Sequence, residues 1–141
     1  PRTFPNTTAG RNDWRRDNVN IFVQRMYDSI KTAKQWVKFG ISPFGIWRNS
    51  SSDPVNGSAT NGLQSYSDIY ADTRYWLPNG LLDYATPQVY WSIGFNAANY
   101  GVLAPWWNNN SFGRHIYIGH AVYKVNADAD ANWTNPSQIN N

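Results

Sequence analysis

Residues 38–49, KFGISPFGIWRN, constrain the fold more than any other stretch. Phe39, Ile41 and Pro43 alternate with the small residues Gly40 and Ser42, and apolar residues at every second position make one face of a strand. The opposite face carries almost no side-chain volume, so something bulky must lie against Gly40 and Ser42. The run then delivers an aromatic, a cation and an amide (Trp47, Arg48, Asn49) to residues 49–64, a segment poor in hydrophobics and rich in Ser, Asn and Gly. A loop of that length in a compact unit is often functional or mobile. In parallel α/β folds, ligands are met at this end of a strand.

The remaining chain repeats the unit. Residues 1–12 read as loop, with Asn12 or Asp13 placed to cap a helix. Val19, Phe22, Val23, Met26, Tyr27 and Ile30 then form one apolar stripe at helical period, fading near Lys34. After the first strand, Tyr66, Ile69, Tyr70, Thr73 and Leu77 predict a second helix, capped by Ser65 or Ser67 and stopped by Pro78, Asn79 and Gly80. Asp68 and Asp72 stand at i, i+4 and read as its solvated face.

Residues 81–91 form a second strand. Ala85, Pro87 and Val89 share one face, and Tyr84, Thr86, Gln88 and Tyr90 share the other. An uncharged polar face of Gln and Tyr is odd for a packed core and suits a barrel lumen near its mouth. A short helix over residues 99–107 aligns Tyr100, Leu103 and Trp107. Residues 115–125 form a third strand, and residues 136–141 begin another helix. Helix and strand in strict alternation argue parallel βαβ units. Three strands cannot close a barrel, so the chain is a small three-strand layer or part of a larger (β/α)₈ barrel.

Bulk properties narrow the functional classes. One domain fits 141 residues. There is no Cys, and the two His leave no convincing metal set. Asp128, Asp130 and Asn132 open like a calcium loop, but Trp133 and Ile139 occupy the positions of its Gly and Glu. No cofactor motif occurs: phosphate-binding glycine loops and the Gly-x-Ser-x-Gly elbow are both absent. The net charge of +3 sits largely in Arg11, Arg15 and Arg16, offset by Asp13 and Asp17, and falls short of the dense basic face of a nucleic-acid binder. No apolar run spans a bilayer. The chain opens on Pro1 rather than Met, which reads as a mature or excised segment. Eight Trp and nine Tyr are the unusual feature, since their flat faces stack on sugars as well as filling cores.

Four motifs carry a resemblance: DWRRDNV near residues 13–19, FGISPFGIWRN, SDIYADTRYWL with GLLDYATPQVYW, and IYIGHAVYKV. Together, over residues 12–139 in unbroken order, they resemble the second half of the catalytic domain of glycoside-hydrolase-like family ten. That bacterial family includes divisome-localised peptidoglycan glycosidases and lipoproteins. The resemblance implies a (β/α)₈ barrel, with these strands as its fifth to seventh. Residues 1–141 are then a partial domain, with the family's paired-Asp strand expected upstream of Pro1 and the eighth strand after Asn141.

Glycosidic hydrolysis normally takes two carboxylates. All nine acidic residues here are Asp, and none ends a strand. The catalytic pair is therefore expected outside the segment, with His120 a further candidate able to hold or orient a proton near neutral pH. Strict alternation groups His120 with the helix-facing Ile116 and Ile118 unless a bulge intervenes. Gln88, Tyr90 and Trp91 are the leading substrate-binding candidates, Gln88 for paired hydroxyls and the aromatics for stacking. Trp47, Arg48, Asn49 and Tyr123 complete the set. Arg48 suits either an acidic sugar's carboxylate or the pinning of its own loop. Trp106 and Trp107 read as helix-to-barrel packing. The implied partners are a polysaccharide and the other half of the barrel, on this polypeptide or on a separate chain, in an extracytoplasmic setting. The competing reading is a non-catalytic carbohydrate-binding domain.

Overall fold

The computed structural model describes residues 2–140. Three parallel strands lie side by side in sequence order: β1 (Gly40–Ile41), β2 (Tyr84–Ala85) and β3 (His115–Ile116). Spatial order that follows chain order without a reversal is the progression of a (β/α) barrel, not of a doubly wound sheet. The mixed α/β unit is consistent with part of such a barrel. Gly40, Tyr84 and His115 stand in register, as do Ile41, Ala85 and Ile116.

Regular strand is far shorter than the sequence suggests, because Pro43 and Pro87 interrupt each ladder. Proline has no N–H to give, but its carbonyl still accepts. Gln88 N–H donates to Pro43 O at 2.9 Å and Gly119 N–H to Pro87 O at 2.9 Å, so pairing continues to the line Phe44, Gln88, Gly119. The third strand does not reach Val125. Past Gly119 the chain turns into a 3₁₀ segment, Val122–Lys124, with Ala121 buried beneath it.

Side chains sort as the alternation requires. Ala85 and Val89 are buried, with Ile41, Ile116 and Ile118 packed beside them against Leu82, Leu103 and Trp107. On the opposite face the Tyr84 ring lies over Gly40, where a Cβ would come within 2.3 Å of it. That ring is the bulk which Gly40 accommodates. Trp107 is fully buried and donates its Nε1–H to Gly45 O at 2.8 Å. Burying such a ring is worth roughly 4–6 kcal/mol of transfer free energy.

The helices correct the sequence reading in two places. Helix α1 runs Thr8–Ala33, so Asn12 and Asp13 lie inside it; Thr7 is the cap, its hydroxyl accepting from Gly10 N–H at 3.0 Å. Only part of the α1 stripe is covered: Val23 is buried, whereas Phe22 is 63% and Met26 40% exposed. The single helix expected over residues 65–77 is two short ones, α2 (Ser65–Asp68) and α3 (Thr73–Trp76). Between them Tyr70 takes φ +59°, a left-handed conformation costing roughly 1–2 kcal/mol. The break lets its hydroxyl reach α1, accepting from Arg15 at 2.9 Å and donating to Asn12 at 3.3 Å. Neither Ser65 nor Ser67 caps α2. Asp72 is no solvated residue but the cap of α3. The helix expected over residues 99–107 is α4 (Tyr100–Asn109), with Asn99 as its cap, and α5 (Ser137–Asn140) ends the described chain.

Candidate functional site

Parallel strands bring their C-terminal ends to one rim, and here Phe44, Gln88 and Gly119 mark it. Gln88 gives its amide N–H₂ to Ser42, at 3.1 Å to the carbonyl and 3.3 Å to the hydroxyl. Its amide oxygen accepts from no described residue. One step on, Trp91 packs edge-on against Phe44, with ring centroids 5.5 Å apart. Gly45 makes this possible, because a Cβ there would meet the Trp91 ring at 2.7 Å and Gln88 O at 2.5 Å. The Tyr90 ring lies against Gly119 on the neighbouring strand.

His120 follows Gly119 directly. The strand ends there, so His120 leaves the alternation that would have turned it toward the helices. It is exposed, and its ring stacks on Tyr100 at 5.1 Å. The Tyr100 hydroxyl lies 3.3 Å from His120 Nε2. Burial pushes the Tyr100 phenol up from its ordinary range, so it stays protonated at neutral pH. Tyr100 is the rim residue that the sequence reading missed, since helical spacing assigned it to packing with Leu103 and Trp107. Tyr123 sits farther along in the 3₁₀ segment, 70% exposed and without an aromatic neighbour among the described residues.

Trp47, Arg48 and Asn49 also follow a strand but are spent internally. Trp47 is 5% exposed, stacked on Trp106 at 6.1 Å and donating Nε1–H to Asp72 at 3.0 Å. Arg48 donates to Asp53 at 3.2 Å and to Ser52 O at 2.8 Å, with its guanidinium 4.8 Å from the Tyr66 ring centroid. Asn49 is buried: its amide donates to Gly62 O and accepts from Thr60 and from Gly62 N–H. These bonds turn residues 49–64 into an ordered cross-linked loop. Beside it lies a cavity of about 380 Å³ lined by Arg48 and Arg74 and by Asp53 and Asp72, so its formal charges balance. Burial pushes the Asp72 carboxyl up, against the hydrogen bonds from Trp47 and Tyr75 N–H. Hydrogen bonds from Asn56 and its backbone, aided by Arg48, hold Asp53 low.

The acidic residues near the third strand are likewise committed. Asp130 accepts from Ser92 and from Asn132 N–H, and Asp128 from Asp130 N–H and Lys124. Among the described residues no cluster of His, Asp or Glu could hold a metal ion, and no Asp hydrogen-bonds Gln88, Tyr90, Trp91 or His120.

The family described as Glycosyl hydrolase-like 10 matches residues 2–135. The chain belongs to this family. It is 54% identical over 128 residues to the glycosyl hydrolase YngK of Bacillus subtilis, covering 89% of this chain and 25% of that protein. With the glycosyl hydrolase DigH of Escherichia coli K12 it shares 45% over 126 residues, 88% of this chain and 28% of the relative. The chain thus spans about a quarter of the length of these curated relatives. Membership in the glycosyl hydrolase-like family accords with a three-strand parallel sheet that is part of a (β/α) barrel.

Proposed function

We propose that this chain supplies part of the substrate-binding rim of a bacterial glycoside hydrolase acting on a polysaccharide, with peptidoglycan glycan strands the substrate class. The observation that carries this reading is the line Phe44–Gln88–Gly119, which sets an open amide oxygen beside the half-exposed aromatics Tyr90 and Trp91 and the imidazole of His120. Stacking serves the apolar face of a sugar, and the amide serves its hydroxyls. Hydrolysis needs an acid and a nucleophile or base, and both carboxylates come from outside these residues, from the acidic strand of the rest of the barrel. A glycan-strand substrate supports a setting outside the cytoplasm, at the cell surface or in the periplasm.

The test is affinity for soluble oligosaccharides of alternating N-acetylglucosamine and N-acetylmuramic acid, measured on the longest polypeptide carrying these residues. Gln88→Ala and Trp91→Ala should each weaken binding by roughly ten-fold, given about 1–1.5 kcal/mol per lost polar or stacking contact. Unchanged affinity in both sinks the assignment of the rim. The alternative is a non-catalytic carbohydrate-binding domain that uses the half-exposed faces of Tyr90 and Trp91. Changing either aspartate of the acidic strand separates the two, since an enzyme loses turnover and a binder keeps its affinity.

A further inference from the structure

Two rings meet where the ends of β2 and β3 converge. Tyr100 is the first residue of α4, and its backbone N–H donates to Ser92 O at 3.2 Å, in the loop that also carries Trp91. Asn99 fixes the turn by accepting from Gly94 N–H at 3.2 Å and Gly101 N–H at 2.9 Å. From this anchored position the Tyr100 ring supports the face of His120, at an interplanar angle of 30°. Its hydroxyl has one hydrogen-bond partner among the described residues, His120 Nε2.

We propose that Tyr100 is the positioning residue of His120, donating to Nε2 so that the imidazole carries its proton on Nδ1 and presents that N–H to an oxygen of the bound sugar. The proton assignment follows from the inventory of groups. A phenol kept protonated by burial has a proton to give. A neutral imidazole has one acceptor nitrogen, and the hydrogen bond made by one nitrogen decides what the other does. His120 is exposed and its Nδ1 has no partner among the described residues, leaving that nitrogen free to donate. The sugar-facing part of the proposal rests on the glycan-binding reading above; the tautomer does not. Because Tyr100 also packs against the core, Tyr100→Phe removes the hydroxyl while keeping the ring.

The test is imidazole nitrogen NMR on the longest polypeptide carrying these residues, with isotope-labelled histidine. The His120 signals are those lost in His120→Gln. Wild-type His120 should be mainly the Nδ1–H tautomer, and Tyr100→Phe should return it to the mixture of an unrestrained imidazole. A wild-type ring protonated on Nε2, or a tautomer unmoved by Tyr100→Phe, overturns the proposal. Glycan affinity should fall roughly five-fold in Tyr100→Phe with the unfolding midpoint unchanged, the size of one net hydrogen bond. A switched tautomer with unchanged affinity overturns the sugar-facing role. Failure of the wild type to bind glycan at all overturns the glycan reading, and the tautomer result then stands without it.

Discussion

Two segments of this chain follow a parallel strand with nearly the same chemistry, an aromatic beside an amide, and they end differently. After β1, Trp47 and Asn49 are folded inward and all but sealed, at 5% exposure each. After β2, Gln88 and Trp91 stay half-exposed, and Gln88 keeps an oxygen free. The cause lies in what comes next along the chain. A long Ser/Asn/Gly loop returns over the first segment and needs hydrogen-bond partners for its backbone, which Asn49 and Arg48 supply. The second segment passes quickly into α4, whose cap is satisfied by Asn99 alone. Residue type therefore marks where polar chemistry sits, and the following loop decides whether it is available to a ligand.

That contrast can be broken most forcefully at the level of the whole segment. Residues 1–141 in isolation should self-associate, because among the described residues β1 and β3 each leave one strand edge unpaired. Sedimentation at several concentrations reads this directly, and a reversible, sharp monomeric transition would contradict it. Next in size is Trp107→Ala, expected to cost about 3–5 kcal/mol in urea unfolding of the longer polypeptide. Trp91→Ala should cost about 1 kcal/mol or less, since its ring is only partly buried.

Asn49→Ala should remove about 2–3 kcal/mol, because it strands loop groups that its buried amide satisfies. Gln88→Ala should cost under about 0.5 kcal/mol and act on ligand affinity instead. Equal losses at the two amides would erase the distinction drawn here.

A pair of aspartates shows opposite pH behaviour. Burial works against ionisation of Asp83, but hydrogen bonds from Lys31 at 2.7 Å and Phe39 N–H at 2.7 Å outweigh it and hold the carboxyl low. Its contribution is present above the ordinary carboxylate range and is lost as pH falls through and below that range. Asp72 is raised, so the folded state takes up its proton more readily than the unfolded chain, and its ionisation costs stability as pH rises past the usual carboxylate value. Asp83→Asn should lower stability at neutral pH by on the order of 1 kcal/mol. Asp72→Asn keeps an acceptor for Trp47 and Tyr75 and should leave stability at neutral pH unchanged or raised. Denaturant midpoints across acidic to neutral pH test both signs.

Much of the architecture was legible because it is written in short periods. The alternation around Gly40 foretold both the strand and the bulk over its small face, and the spacing of Tyr100, Leu103 and Trp107 foretold α4. What stayed hidden depends on distant partners. Nothing local in Tyr70 announces the left-handed turn that splits α2 from α3, because the reason is a pair of bonds to a helix some 55 residues earlier. The end of β3 at Gly119 was hidden by the β-prone run on either side of it, and His120 could not be placed until that end was seen. The family itself was readable from four motifs, whereas the inward fate of Asn49 required the returning loop.

The tail of the described chain holds a quieter influence over the rim. Gln138 accepts from Ile93 N–H at 2.6 Å and donates to Ile93 O at 3.4 Å, while Asp130 takes the Ser92 hydroxyl. Both clasps close on the two residues after Trp91. Replacing Gln138 and Asp130 by alanine would leave every rim side chain in the sequence, yet free the segment beneath them to wander. Such a protein would still meet its ligand at the usual rate and would let it go sooner. The residence time of a bound chain would thus be set by residues that never touch it.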